Sequence, residues 1–124
     1  MNSNVVAPKA KFKKVISVQF YKASNGVEPV RNWLKSLTKT QKKILGEDLK
    51  TLETCWPIGM PLVRSLGKRL WEMRSNIPNG AARILFTMKG SYAVLLHGFI
   101  KKSQKTPQKD LETAHKRAKD LEDY

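Results

Sequence analysis

Residues 96–107 read Leu-His-Gly-Phe-Ile-Lys-Lys-Ser-Gln-Lys-Thr-Pro and hold the densest set of chemically capable side chains in the chain. Lys101, Lys102 and Lys105 fall within five residues at the end of an apolar run. Cations this close repel one another, so the segment calls for an anion. Two arginines stand in strand-like settings upstream. Arg74 closes Leu70-Trp71-Glu72-Met73-Arg74, and Arg83 is the only charged residue between Ala81 and Met88. Guanidinium groups bind phosphate oxygens in pairs. A lysine crowded by cations loses its proton more readily and can serve as a general base or acid. Together these groups suit a phosphodiester. In RNA the ribose 2′-hydroxyl is an internal nucleophile, so cleavage needs positioning, two proton movements and charge stabilisation, and no metal. His97 is a further candidate for proton transfer, with a packed strand histidine as its plainer use. Arg83 has a plainer use too, as the ion-pair partner of Glu72.

The overall charge agrees with a polyanionic partner. Lys plus Arg number 24 against 10 Asp plus Glu, a net charge of +14 over 124 residues. Such a surplus favours nucleic acid and fast association with it. His97 and His115 are too few, and too far from cysteines or paired carboxylates, to make a metal set. Glycines stand singly, so no phosphate loop is present. No metal or cofactor is expected. The lone Cys55, beside Leu52 and Trp56, reads as a small buried apolar residue, and a single cysteine suits a reducing compartment. No apolar run approaches the length of a membrane span, and the polar, then basic N-terminus lacks an apolar signal core. These features point to the cytoplasm.

The elements that would position these groups follow from patterning. Residues 1–13 read as a flexible basic tail and residues 14–124 as one domain. Val15–Tyr21 is a strand, rich in β-branched and aromatic residues. Asn25-Gly26 turns the chain, and Pro29 suits the first turn of a helix carrying Val30, Trp33, Leu34 and Leu37. Thr38 and Gln41 form a capping box for a second helix with Ile44, Leu45, Leu49, Leu52 and Cys55 on one face. The lysines opposite, Lys35, Lys39, Lys42, Lys43 and Lys50, read as a solvated face. Pro57, Gly59 and Pro61 end this helical hairpin.

Strands are expected at 62–66, 70–74, 82–88 and 92–100, with a hairpin turn at Pro78-Asn79-Gly80. Short connections imply an antiparallel meander with helices on one face. Alternation then puts Trp71 and Met73 against the helices and Glu72 and Arg74 on the open face. His97, Phe99 and Lys101 share a face of the last strand. Phe99 offers a stacking surface for an unpaired base, whereas Trp71 suits the core. Thr106 is expected to cap a final helix striped by Leu111, Ala114, Ala118 and Leu121.

Three blocks carry a family resemblance: 66–74 (Leu-Gly-Lys-Arg-Leu-Trp-Glu-Met-Arg), 82–86 (Ala-Arg-Ile-Leu-Phe) and 96–107 as quoted above. In this order they resemble the HigB branch of the RelE-like toxins, including its phage-derived members. The resemblance implies an α+β fold, with an N-terminal strand and helical hairpin packed on an antiparallel sheet, and a C-terminal helix. It implies a type II toxin that cleaves messenger RNA on the ribosome without a metal and so inhibits translation. The implied partners are a HigA-like helix-turn-helix antitoxin and messenger RNA on the ribosome, with operator DNA reached only through the antitoxin. By position it assigns phosphate stabilisation to Arg83 and Arg74 and proton transfer to Lys101 or Lys102. Lys68, Arg69, Phe99 and Lys105 are expected RNA contacts. Two positions depart from the family pattern. Some relatives place a tyrosine near the reacting phosphate, where this chain has Lys105, Thr106 and Gln108; Glu72 stands where a relative carries a lysine. The base is therefore open among Lys101, Lys102, Lys105 and His97. A non-catalytic basic module, binding RNA, ribosome or antitoxin in operon autoregulation, is the other reading of the same charge.

Overall fold

The computed structural model describes residues 13–101 and 105–122. The tail assigned to residues 1–13 therefore lies almost wholly outside the described residues, as does Lys102. β1 (Ser17–Phe20) leads into two helices, α1 (Pro29–Lys35) and α2 (Lys39–Cys55). Proline stands in the first turn of α1. The capping box of α2 is present: Gln41 N donates to Thr38 Oγ1 at 3.1 Å, and Thr38 N to Gln41 Oε1 at 3.0 Å. The lysines assigned to the outer face of the hairpin are all exposed.

Four strands follow: β2 (Val63–Gly67), β3 (Leu70–Ile77), β4 (Gly80–Lys89) and β5 (Tyr92–Lys101). They form the expected antiparallel meander. β1 joins it on the far side of β5, in parallel, so the sheet is mixed, with order β1-β5-β4-β3-β2. α3 (Gln108–Glu122) closes the chain.

Helices cover both faces of the sheet. Leu45, Leu52 and Val30 of the hairpin pack on Met73, Ile84, Phe86 and Leu95. The opposite face, expected to be open, carries α3. There Ala114, Leu111, Ala118 and Leu121 pack on Leu70, Leu85, Val94, Leu96 and Tyr21. The apolar stripe of α3 is short, and polar ties supplement it. Asp120 accepts the Tyr21 hydroxyl, and Lys89 Nζ donates to the Leu121 carbonyl at 3.1 Å.

Two further expectations are corrected. Cys55 is exposed, because it ends α2 one turn beyond the last fully buried position, Leu52. Thr106 does not cap α3. The Pro107 carbonyl takes the first helical bonds, and the Thr106 hydroxyl turns to the sheet instead.

Two irregularities of β5 shape what surrounds it. Leu85 pairs with His97 and Phe86 with Leu95, so Leu96 is an extra residue in the ladder. The bulge turns both Leu96 and His97 towards α3. One residue on, Gly98 faces the other way, beneath the indole of Trp33. A Cβ there would stand well inside van der Waals contact with Trp33 Cε3. Gly98→Ala is expected to lower the unfolding free energy by about 1–3 kcal/mol through overpacking. Denaturant melts check this, and Trp33→Leu in the same chain is expected to recover part of the loss.

Candidate anion-binding site

Strand register brings the expected arginines together. Arg74 on β3 lies opposite Arg83 on β4, which lies opposite Phe99 on β5. Glu72, two residues before Arg74, shares its face and pairs across β2 with Arg64. Lys101, opposite Ala81, extends the same face of β5. Glu72 was expected on an open surface but is fully buried. Thr106, entering α3, covers it and donates to Oε2 at 2.6 Å. The other oxygen, Oε1, faces a ring of cations: Arg64 Nη2 at 3.4 Å, Arg74 Nε at 3.8 Å and Arg83 Nε at 3.9 Å.

These distances attract without making hydrogen bonds. Glu72 Oε1 and the Nε atoms of Arg64, Arg74 and Arg83 are all buried, and among the described residues none has a hydrogen-bond partner. Three arginines thus converge on Glu72, each with a buried Nε–H unspent among the described residues. Charge points the same way. Among the described residues one carboxylate stands against three guanidinium groups and the Lys101 ammonium, which is itself 5% exposed. Burial lowers the Lys101 pKa, with the Arg83 charge next in effect and Glu72 opposing. Burial lowers that of Arg83 too, again against Glu72, while Arg74 and Arg64 add to the lowering. A region of low dielectric with surplus positive charge and unspent N–H donors suits a phosphate or carboxylate.

Residues 32–119 match the family described as phage-derived protein Gp49-like. The chain belongs to the phage-derived Gp49-like family. That family is one of RelE/HigB-like toxins, which agrees with the α+β fold and a toxin role. Among curated proteins, none matches the chain. The match covers α2, β2 to β5 and most of α3, and with them Arg64, Glu72, Arg74, Arg83, Lys101 and Thr106.

In this Gp49-like chain the other expected site residues scatter. His97 faces α3: Nε2 lies 2.6 Å from Asp110 Oδ1 and Nδ1 lies 3.5 Å from Arg117 Nη1. Its ring stacks on Phe99, 5.6 Å between centroids. Both ring nitrogens are occupied, so His97 ties β5 to α3. Phe99 is half-buried, with one face of its ring against His97. Trp71 is a core residue between Trp56 and Phe86, as its position implied.

Lys68 and Arg69 form the β2–β3 turn, both at positive φ. Five residues along β3 separate Arg69 from Arg74, roughly 16 Å, so the turn belongs to the far end of the sheet. Arg69 is anchored there by its Nη2 bond to the Met88 carbonyl at 3.1 Å. Lys105 is exposed beside Thr106. Arg64 and Thr106 complete the site; from sequence Arg64 was not singled out, and Thr106 was expected as a helix cap rather than a site residue. The alternation Val63-Arg64-Ser65 was the available signal for Arg64, since it puts the arginine on the face opposite buried Val63. Among the described residues no three His, Cys, Asp or Glu side chains group as metal ligands, and no helix is long and apolar enough to cross a membrane.

Proposed function

We propose that the chain is the toxin of a type II toxin–antitoxin pair, an endoribonuclease that cuts messenger RNA on the ribosome and stops translation in the cytoplasm. The observation that carries this is the ring of three arginines around buried Glu72, each with a buried Nε–H that makes no hydrogen bond among the described residues. Arg83 and Arg74 would bind the non-bridging oxygens of the scissile phosphate and stabilise the charge that builds there. Lys101 would take the 2′-hydroxyl proton. Its lowered pKa supports that role, because a neutral amine is then available closer to physiological pH. Attack of the 2′-oxygen on phosphorus expels the 5′-oxygen of the next nucleotide, which takes up a proton, and leaves a 2′,3′-cyclic phosphate. Lys102, adjacent in sequence, is the alternative proton carrier, and Lys68, Arg69 and Lys105 would hold flanking backbone. The expected partner is a HigA-like helix-turn-helix antitoxin, through which operator DNA is reached.

Mapping transcript ends after induction, with and without active translation, tests the reading. Cuts bearing 2′,3′-cyclic phosphate that vanish when translation is blocked are expected. Unchanged transcripts would leave the second reading, a non-catalytic basic module. That reading is favoured by Glu72, which already partly neutralises Arg83.

The lysine assignment has its own test. Cleavage requires neutral Lys101, so the rate is expected to rise with pH until the lowered Lys101 pKa is passed, then level off. In Lys101→Arg the guanidinium stays charged, the rising limb is lost, and the rate falls about 10²- to 10⁴-fold. A pH–rate profile unchanged by the substitution moves the role elsewhere.

A further inference from the structure

A cleft of about 420 Å³ opens beside the anion site, between α2 and the length of β3 beyond its pairing with β2. Arg74 and Arg83 form one end of it. Ile44 and Leu62 give apolar walls, and Asp48 and Asn76 supply polar groups. Asp48 accepts the Ser75 hydroxyl through Oδ2 at 2.6 Å. Among the described residues it makes no other hydrogen bond and no ion pair, although two arginines share its cleft. The Asn76 amide has no partner among the described residues either, and the residue is exposed. An α2 carboxylate held in place by a buried serine, yet paired with no cation, has acceptor capacity directed at something else.

We infer that this cleft is a nucleobase slot selective for guanine, set beside the phosphate bound by Arg74 and Arg83. The inference rests on the phosphate reading of the arginines. A nucleotide whose phosphate meets those arginines has its base within reach of the cleft. Apolar walls suit the two faces of a base, and its Watson–Crick edge then meets the polar groups. A carboxylate is acceptor-only, so it selects an edge that donates. Guanine offers two adjacent donors, N1–H and the amino group, and one carboxylate takes both. Adenine and cytosine offer an amino group beside an unprotonated ring nitrogen, which a carboxylate repels. Uracil offers one N–H between two carbonyls. Asn76, which both donates and accepts, suits the neighbouring guanine O6. The slot would therefore govern which nucleotide flanks the cut.

Calorimetric titration of the full chain with the four nucleoside 3′,5′-bisphosphates tests this without requiring catalysis. Guanosine 3′,5′-bisphosphate is expected to bind about tenfold or more tightly than the other three. Asp48→Asn, which presents a donor to a donor, is expected to erase the preference. Ser75→Ala keeps the carboxylate but releases its anchor, and should weaken the preference without erasing it. Asn76→Ala, at an exposed position, should reduce it even if Asp48→Asn fails to fold. Equal affinity for all four bases in the wild type overturns the slot, as does a guanine preference that survives Asp48→Asn. Guanine-selective binding without transcript cleavage would sink the nuclease reading alone. Cleavage with no base preference in either assay would sink the slot alone.

Discussion

Glu72→Gln is expected to lose about 3–5 kcal/mol of unfolding free energy, the largest stability effect of any single polar substitution in the chain. Glutamine keeps the shape of the side chain and can still accept the Thr106 hydroxyl. What it removes is the one negative charge facing Arg64, Arg74 and Arg83, two of which are substantially buried. Their mutual repulsion is then uncompensated in a poorly screened site. Urea denaturation at low ionic strength measures the loss. Added inorganic phosphate should recover part of it, because an anion bound among the arginines replaces the missing charge and stabilises the folded state by mass action. Thr106→Val, which removes only the clamp on Oε2, is expected to lose a smaller amount, about 1–3 kcal/mol. A Glu72→Gln chain as stable as wild type would mean that the ring is not held by this charge.

How much of this was legible in the sequence depends on how local each feature is. The β3–β4 hairpin follows from Asn79-Gly80 and two alternating runs, and alternation alone puts Glu72 and Arg74 on one face and Arg83 opposite. The anion site was readable for that reason. What covers it was not. The stripe Leu111, Ala114, Ala118 and Leu121 announces a helix with one apolar side, but no local rule says which sheet face receives it, so Glu72 looked exposed. β1 and β5 are separated by some seventy residues, and their parallel pairing has no local signature. The role of His97 was hidden by the bulge at Leu96, which breaks the period of two and turns two successive side chains towards α3. Arg64 was obscured because its importance comes entirely from the partner it meets across β2 and β3.

Arg83→Ala is expected to abolish growth arrest on induction and to reduce cleavage at least 10²- to 10³-fold, while leaving a folded protein. The activity argument rests on position. Arg83 is the most central and most buried cation of the ring, and its Nη1 is already fixed by the Ala82 carbonyl at 3.0 Å. A preorganised donor that needs no reorientation contributes most where charge accumulates in the transition state, and few groups remain to compensate for it. The stability argument runs opposite to that for Glu72. Removing Arg83 relieves its desolvation and its repulsion by Arg74 and Arg64, and Glu72 keeps both of those partners. Loss of the apolar stem offsets part of this relief, so the unfolding free energy should stay within about 1 kcal/mol of wild type. Two neighbours of one ion-pair network thus separate: Glu72 governs folding, Arg83 governs activity. Induction of Arg83→Ala in cells, with circular dichroism on the purified protein, measures both. Wild-type toxicity from a folded Arg83→Ala chain would remove Arg83 from the chemistry. Collapse of its stability would make the Glu72–Arg83 pair structural instead.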